Sequence, residues 1–279
     1  MKVKNIMSSP VYIIKPDDTV AHARNLMIKH KVGSVLIVDN AVITGIFTKA
    51  DLKIKLFENE AAWKRRPIDQ IPAQSVCTAD VVTLSPNAVV ADAAKLMIEK
   101  KIDHIPIFEK EIDGIVSKTD MIRFAAENLT DASVSDVTFG KAVTVNVSHT
   151  LNHIIYEMKR NDVQKVVVMD NNEKAVGIVS VKDLSANYFT ENSEQKNSKS
   201  SKKSSKAPRF PIDSPFIAED IMTSITSADV SESIASASKK IIKNDVVSLP
   251  VTRNGKIEGM ISKDDILKWI AENYDAENE

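Results

Sequence analysis

One octet recurs four times in this 279-residue chain, and it limits the possible folds more than any other feature. It reads glycine, two apolar residues, Ser or Thr, two variable residues, Asp, then an apolar residue. The copies run Gly45-Ile46-Phe47-Thr48-Lys49-Ala50-Asp51-Leu52, Gly114-Ile115-Val116-Ser117-Lys118-Thr119-Asp120-Met121, Gly177-Ile178-Val179-Ser180-Val181-Lys182-Asp183-Leu184 and Gly259-Met260-Ile261-Ser262-Lys263-Asp264-Asp265-Ile266. Their glycines lie 69, 63 and 82 residues apart. A repeat at this period means that one supersecondary unit was copied along the chain. The last interval is long because it holds residues 192–206, a Lys/Ser tract without an apolar anchor. Such a tract cannot bury enough surface to offset chain entropy, and disorder is expected there.

Each repeat follows one plan. A short β-type run comes first: Val11–Ile14, Val81–Leu84, Ala142–Val145 and the weaker Ser224–Thr226. A cap-like polar residue and an amphipathic helix follow, with Val20, Ala23 and Met27 on one stripe in the first repeat and Val89, Ala93, Leu96 and Met97 in the second. Then come a strand, a turn and a second strand that ends in the octet, whose Asp opens another helix. The order is β-α-β-β-α, an α+β class. About 60 residues bury only a marginal core, so the repeats are expected to pair, sheet against sheet. The expected organisation is repeat 1 over 1–64, repeat 2 over 65–128, repeat 3 over 129–190, a linker over 191–213 and repeat 4 over 214–275.

Composition excludes several function classes. The formal charge of -1 gives no global field for nucleic acid or anionic lipid. Residues 190–213 hold six basic against three acidic groups, and a flexible tract of that kind implies at most weak, salt-dependent nucleic-acid binding. Cys77 is the single cysteine, so neither an intrachain disulfide nor a cysteine zinc cluster can form. A reducing cytoplasmic setting is expected, since the N-terminus lacks an apolar signal core and no run of about 20 apolar residues occurs. Seven glycines supply no phosphate-cradling loop or dinucleotide fingerprint, and no serine nucleophile elbow is present. A non-enzymatic role is expected.

The octets, their order and the apolar-Pro-apolar strands Ile105-Pro106-Ile107 and Leu249-Pro250-Val251 resemble the CBS domain, the family named after cystathionine β-synthase. Four such copies resemble two Bateman modules in tandem. The resemblance implies a sensor that binds adenosine-containing ligands (AMP, ADP, ATP, S-adenosylmethionine or methylthioadenosine) in clefts between paired repeats. It implies no cofactor beyond that regulatory ligand. With no output domain evident, a separate protein partner is expected to read the signal; the family also leaves room for a homodimer. The alternative is a ligand-free scaffold for protein–protein contact.

Two sets of residues carry the expected site. In the octets, Thr48, Ser117, Ser180 and Ser262 can cap a helix start, and the acids Asp51, Asp120, Asp183 and Asp265 suit its dipole. A free helix N-terminus also suits a phosphate. The resemblance assigns the ribose hydroxyls to the Asp and the phosphate side to the Ser or Thr. The octet lysines Lys49, Lys118, Lys182 and Lys263 fit an anion-tolerant surface. The second set precedes the middle strand: Val32-Gly33-Ser34, Ile102-Asp103-His104, Val163-Gln164-Lys165 and Val246-Val247-Ser248. The resemblance gives the apolar residue the adenine and gives basic groups here, His104 and Lys165, the phosphates. Because the other two triplets carry no charge, unequal clefts are expected, with Asp120 and Asp183 the leading ribose acceptors. His149 and His153, four apart, read as a solvated helix face rather than a metal site, since no third ligand is nominated.

Overall fold

The computed structural model describes residues 1–56, 66–181 and 216–274. The expected linker, Lys182 and Asp183 therefore lie outside the described residues.

Repeat 1 contains β1 (Ile13–Ile14), α1 (Val20–His30), β2 (Ser34–Asp39), β3 (Val42–Thr48) and α2 (Lys49–Leu56). Repeat 2 contains α3 (Val90–Lys100), β4 (His104–Phe108), β5 (Ile112–Ser117) and α4 (Lys118–Asn128). Repeat 3 has β6 (Thr144–Asn146), α5 (Leu151–Arg160), β7 (Lys165–Met169) and β8 (Ala175–Ser180). A short strand β9 (Thr223–Ser224) leads into repeat 4: β10 (Ala228–Asp229), α6 (Ile234–Lys243), β11 (Ser248–Arg253), β12 (Lys256–Ser262) and α7 (Lys263–Asn273). The contacts divide the chain into two compact units, Met1–Phe124 with Leu267–Glu279, and Ala125–Ile266.

The first strands of repeats 2 and 4 lack a hydrogen bond that repeats 1 and 3 make, and one missing proton accounts for it. In repeat 1 the Leu36 N–H donates to the Tyr12 carbonyl at 2.9 Å, and in repeat 3 Val167 does the same to Val143. Pro106 and Pro250 occupy this position in repeats 2 and 4, and a proline has no N–H to give. The run Val81–Leu84 accordingly shrinks to one bridge, Leu84 to Ile107. In repeat 4 the parallel strand forms at Ala228–Asp229, beside Val251 and Thr252, rather than at Ser224–Thr226.

Three first helices carry the expected cap: Thr19, Thr150 and Ser233 each accept from the backbone amide three residues on. Helix α3 departs from the plan. It starts at Val90, Val89 is its N-cap and no side chain caps it. The buried stripe there is Val90, Ala93, Ala94 and Met97, one residue out of phase with the expectation at its start.

Within each compact unit the two repeats exchange their leading segments. Ser8 bridges to Ile115, and Thr78 bridges to Ile46. Gly140 bridges to Met260, and β9 pairs antiparallel with β8 at Gly177 and Ile178. The exchange completes the cores: Ile71 and Ala73, from the leading segment of repeat 2, pack with Ile14, Met27, Ile37 and Phe47 of repeat 1. Ala218 and Ile221 do the same for Val145, Ile154, Val166 and Val179 of repeat 3. A repeat too small to close its own core borrows residues from its partner.

This exchange also explains the octet glycine. A Cβ on Gly45 would lie 2.5 Å from the Cys77 sulfur. One on Gly259 would run into the Gly140 carbonyl and the Phe139 ring. The glycine is a seat for the partner's leading segment.

Candidate functional site

Each described octet forms a reciprocal hydrogen-bonded box at a helix start. In repeat 1 the Thr48 N–H and hydroxyl both donate to Asp51 Oδ2, at 2.8 and 2.6 Å. Thr48 Oγ1 in turn accepts from the amides of Ala50 and Asp51, at 3.2 and 3.4 Å. Ser117 with Asp120, and Ser262 with Asp265, repeat the arrangement at the same 2.8 and 2.6 Å. The Asp120 and Asp265 amides donate back to Ser117 and Ser262 at 3.3 and 3.2 Å.

The second residue set closes the box from the other side. The carbonyls of Gly33, Asp103, Gln164 and Val247 accept from the amides of Lys49, Lys118, Val181 and Lys263. The helix start is therefore not the free set of donors that the sequence suggested. In repeat 1 the amides of Lys49, Ala50 and Asp51 are all bonded within the protein. In repeat 1 what remains for a ligand is the outer carboxylate oxygen of Asp51, and the repeats differ in how they use that oxygen.

Asp120 has no oxygen to spare. It is 5% exposed, and its Oδ1 accepts from the Ser8 hydroxyl at 3.0 Å and from Arg123 Nη1 at 2.7 Å. Asp51 Oδ1 accepts from Thr78 at 3.4 Å. Among the described residues no donor reaches Asp265 Oδ1. The sequence could not expose this inequality, because Ser8 and Thr78 come from segments far away along the chain.

The basic residues are likewise placed unequally. The His104 ring packs against Gly33, where a Cβ would lie 2.6 Å from its Nε2, so the glycine makes room for the imidazole. His104 Nδ1 is buried without a hydrogen-bond partner. Burial holds the His104 pKa below the ordinary imidazole value, with Asp103 and Asp120 opposing and Lys49 and Lys118 adding to the shift. The Lys118 ammonium pairs with Asp103 at 2.8 Å. Lys165 takes a different course: its ammonium reaches Ser248 Oγ at 3.3 Å.

A cavity of about 410 Å³ opens at this point in the second compact unit. Gln164, Lys165 and Ser180 of repeat 3 line it, facing Thr226, Val246, Val247 and Ser248 of repeat 4. Val247 is 59% and Val181 50% exposed, so its mouth is apolar. The Thr226 carbonyl occupies the place that Tyr12 and Val143 hold in their repeats, and Pro250 cannot bond it. Of the predicted residues, Ile102, Asp103, Gly33 and His104 belong to the first unit, and Val163 packs on the repeat 3 core. His149 and His153 meet edge to face with ring centroids 4.1 Å apart, and His149 Nδ1 accepts from the Asn146 amide.

The CBS domain matches residues 3–58, 73–127, 134–188 and 218–272. The chain belongs to the CBS domain family. Its four repeats correspond to two tandem Bateman modules, with leading segments exchanged between repeats 1 and 2 and between repeats 3 and 4. A CBS domain-containing protein of Bacillus subtilis, YhcV, is 30% identical over 152 residues, covering 54% of this chain and 98% of YhcV. An uncharacterized conserved protein from Pyrococcus horikoshii superposes with a TM-score of 0.65 at 20% identity, covering 96% of this chain and 99% of that one. Protein MJ1225 from Methanocaldococcus jannaschii gives 0.62 at 18% identity, covering 97% and 100%. These two likenesses establish the four-repeat fold. Among the described residues no helix is long and apolar enough to cross a membrane.

Proposed function

We propose that the chain is a non-catalytic sensor whose second CBS module binds an adenosine-containing ligand and signals to a separate protein. The observation that carries this reading is the cavity of about 410 Å³ lined by both repeats of that module. Its size falls within the roughly 300–1,000 Å³ of small-molecule sites, and its apolar walls with a few polar groups follow their usual composition. Val246 and Val247 offer a face for a purine, and the Thr226 carbonyl offers an acceptor for an exocyclic amine. Gln164, Lys165, Ser180 and Ser248 supply polar groups for the ribose and its 5′ substituent. Asp183 is the proposed ribose acceptor at this cleft, by its place in the repeat 3 octet. Asp265, with an uncommitted carboxylate oxygen, is the proposed acceptor at the module's other octet.

The first module favours a structural role. Asp120 is already saturated by Ser117, Ser8 and Arg123, and a ribose would have to displace one of them.

The test is calorimetry of the full chain against AMP, ADP, ATP, S-adenosylmethionine and methylthioadenosine. A Val246→Glu variant, which places a charge in the cavity, serves as control. At least one compound should bind, and the variant should lose that binding. Absence of binding by the whole panel would reject the sensor and leave the scaffold.

A further inference from the structure

A second cavity, of about 780 Å³, lies in the second compact unit, and no residue of an octet or of the triplets before the middle strands lines it. It opens where the chain passes from one sheet to another. Gly140 bridges Met260 on β12, and by Thr144 the chain has paired with Val167 on β7. Strands β6 and β12 are edges of their sheets, and the cavity is the gap between them. Lys165 and Ser180, paired at one end of the β7–β8 hairpin, line the first cavity. Met169 lines the second, about 13 Å further along β7 at about 3.3 Å per residue.

Most of the charges around this gap are committed elsewhere. Glu258 is held by Arg253, Glu173 by Lys256 at 3.5 Å, and Asp170 Oδ1 by the amides of Asn172 and Lys174 at 2.8 Å each. Among the described residues no partner reaches the Lys141 ammonium. Asn171 Oδ1 accepts from Asn146 Nδ2 at 3.1 Å, which leaves the Asn171 amide hydrogens to give. His149 Nδ1 accepts from the Asn146 amide at 3.2 Å, so the ring proton sits on Nε2 and can be donated. The repeats differ at this last position. Asp18 in repeat 1 and Glu232 in repeat 4 accept the corresponding amides, of Lys15 and Asp229, at 2.7 and 3.3 Å. A carboxylate there offers a ligand only acceptors. The imidazole takes the amide with one nitrogen and presents a donor with the other.

We propose that this cavity is a second ligand site, for a small organic carboxylate with an apolar body. It goes beyond the adenosine reading and stands without it. Lys141, His149 Nε2 and Asn171 Nδ2 supply an ammonium and two neutral donors, the set that a carboxylate accepts from. Ala142, Val145, Met169 and Ile257 supply the apolar wall for the rest of the molecule. The volume is within the roughly 300–1,000 Å³ of small-molecule sites. One unpaired ammonium matches one negative charge, and the carboxylates of Asp170 and Glu173 along the same wall oppose a dianion such as phosphate.

Methionine-methyl NMR of the full chain tests this at about pH 7.5, above the ordinary imidazole range. Met169 reports on the cavity, and Met7 in the first compact unit serves as reference. Benzoate is the probe, benzamide its neutral counterpart, inorganic phosphate the dianion and AMP the adenosine control. Benzoate should shift Met169 and leave Met7 in place; the other three should need concentrations at least about tenfold higher. His149→Glu keeps an acceptor for the Asn146 amide, as Glu232 does in repeat 4, and replaces the donor with a charge that repels the probe. Lys141→Gln removes the ammonium from an exposed position. Each variant should melt as the parent does and bind benzoate about tenfold or more weakly. The inference is overturned if benzoate leaves Met169 unshifted, if benzamide or phosphate binds as well as benzoate, or if His149→Glu binds benzoate like the parent. A shift of Met169 by AMP over the benzoate range would make this an adenosine site and overturn it as well.

Discussion

Replacing Asp120 with alanine should destabilise the protein far more than the same change at Asp265, although the two residues match in sequence. Both carboxylates accept the amide and hydroxyl of their own serine, at 2.8 and 2.6 Å. Losing such a helix-start box costs about 0.5–2 kcal/mol, typically near 1. Asp120 adds two donors. Ser8 donates to it at 3.0 Å in a site 5% exposed, and a hydrogen bond to a charged acceptor contributes about 1.5–3 kcal/mol. The Arg123 side chain is 56% exposed, so solvent screening holds that pair to about 0–1 kcal/mol. The expected losses are about 3 kcal/mol for Asp120→Ala and about 1 kcal/mol for Asp265→Ala. Urea unfolding followed by circular dichroism measures both, and a cycle with Ser8→Ala isolates the shared bond. The reasoning fails if the two variants agree within about 0.5 kcal/mol, or if Ser8→Ala and Asp120→Ala are additive. The same geometry makes Asp120→Ala an ambiguous probe of ribose binding, since it alters the fold first. Asp265→Ala is the cleaner probe.

Three further outcomes are expected. Gly45→Ala should cost about 1–3 kcal/mol because its methyl meets the Cys77 sulfur. Cys77→Ala should recover part of that loss in the double variant, and Gly140→Ala, with open space around it, should change the unfolding midpoint little. Burial lowers the His104 pKa, so the unfolded chain binds its proton more readily than the folded one. Stability should therefore fall as pH drops below about 6.5, the unfolded value, and a His104→Asn variant should lose less over pH 7 to 5 in thermal melts. Val89→Thr should supply the side-chain cap that α3 lacks and raise stability by about 0.5–1 kcal/mol; an unchanged or lower urea midpoint would show that half-buried Val89 contributes more as a packing residue.

The sequence by itself determined the repeat and its local chemistry. The octet carries its box in each of the three copies described through the Asp, because Ser or Thr and an Asp three residues on bond each other within one helical turn. The same logic made the β-α-β-β-α order and the helix stripes legible, apart from the start of α3. Even the reduction of the first strand of repeat 2 to a single bridge is consistent with Pro106, once strand pairing shows which carbonyl the proline fails to serve. Tertiary structure decided everything that depends on the exchange between repeats. Only there does Ser8 meet Asp120, 112 residues away, and only there does the Cys77 sulfur explain Gly45. Lys165 and Ser248, 83 residues apart, are no more connected in sequence than His104 and Gly33. The octets are near-identical as text, yet Asp51 and Asp120 take different partners for their outer oxygens, because a long-range partner is a property of packing, which a local pattern does not encode.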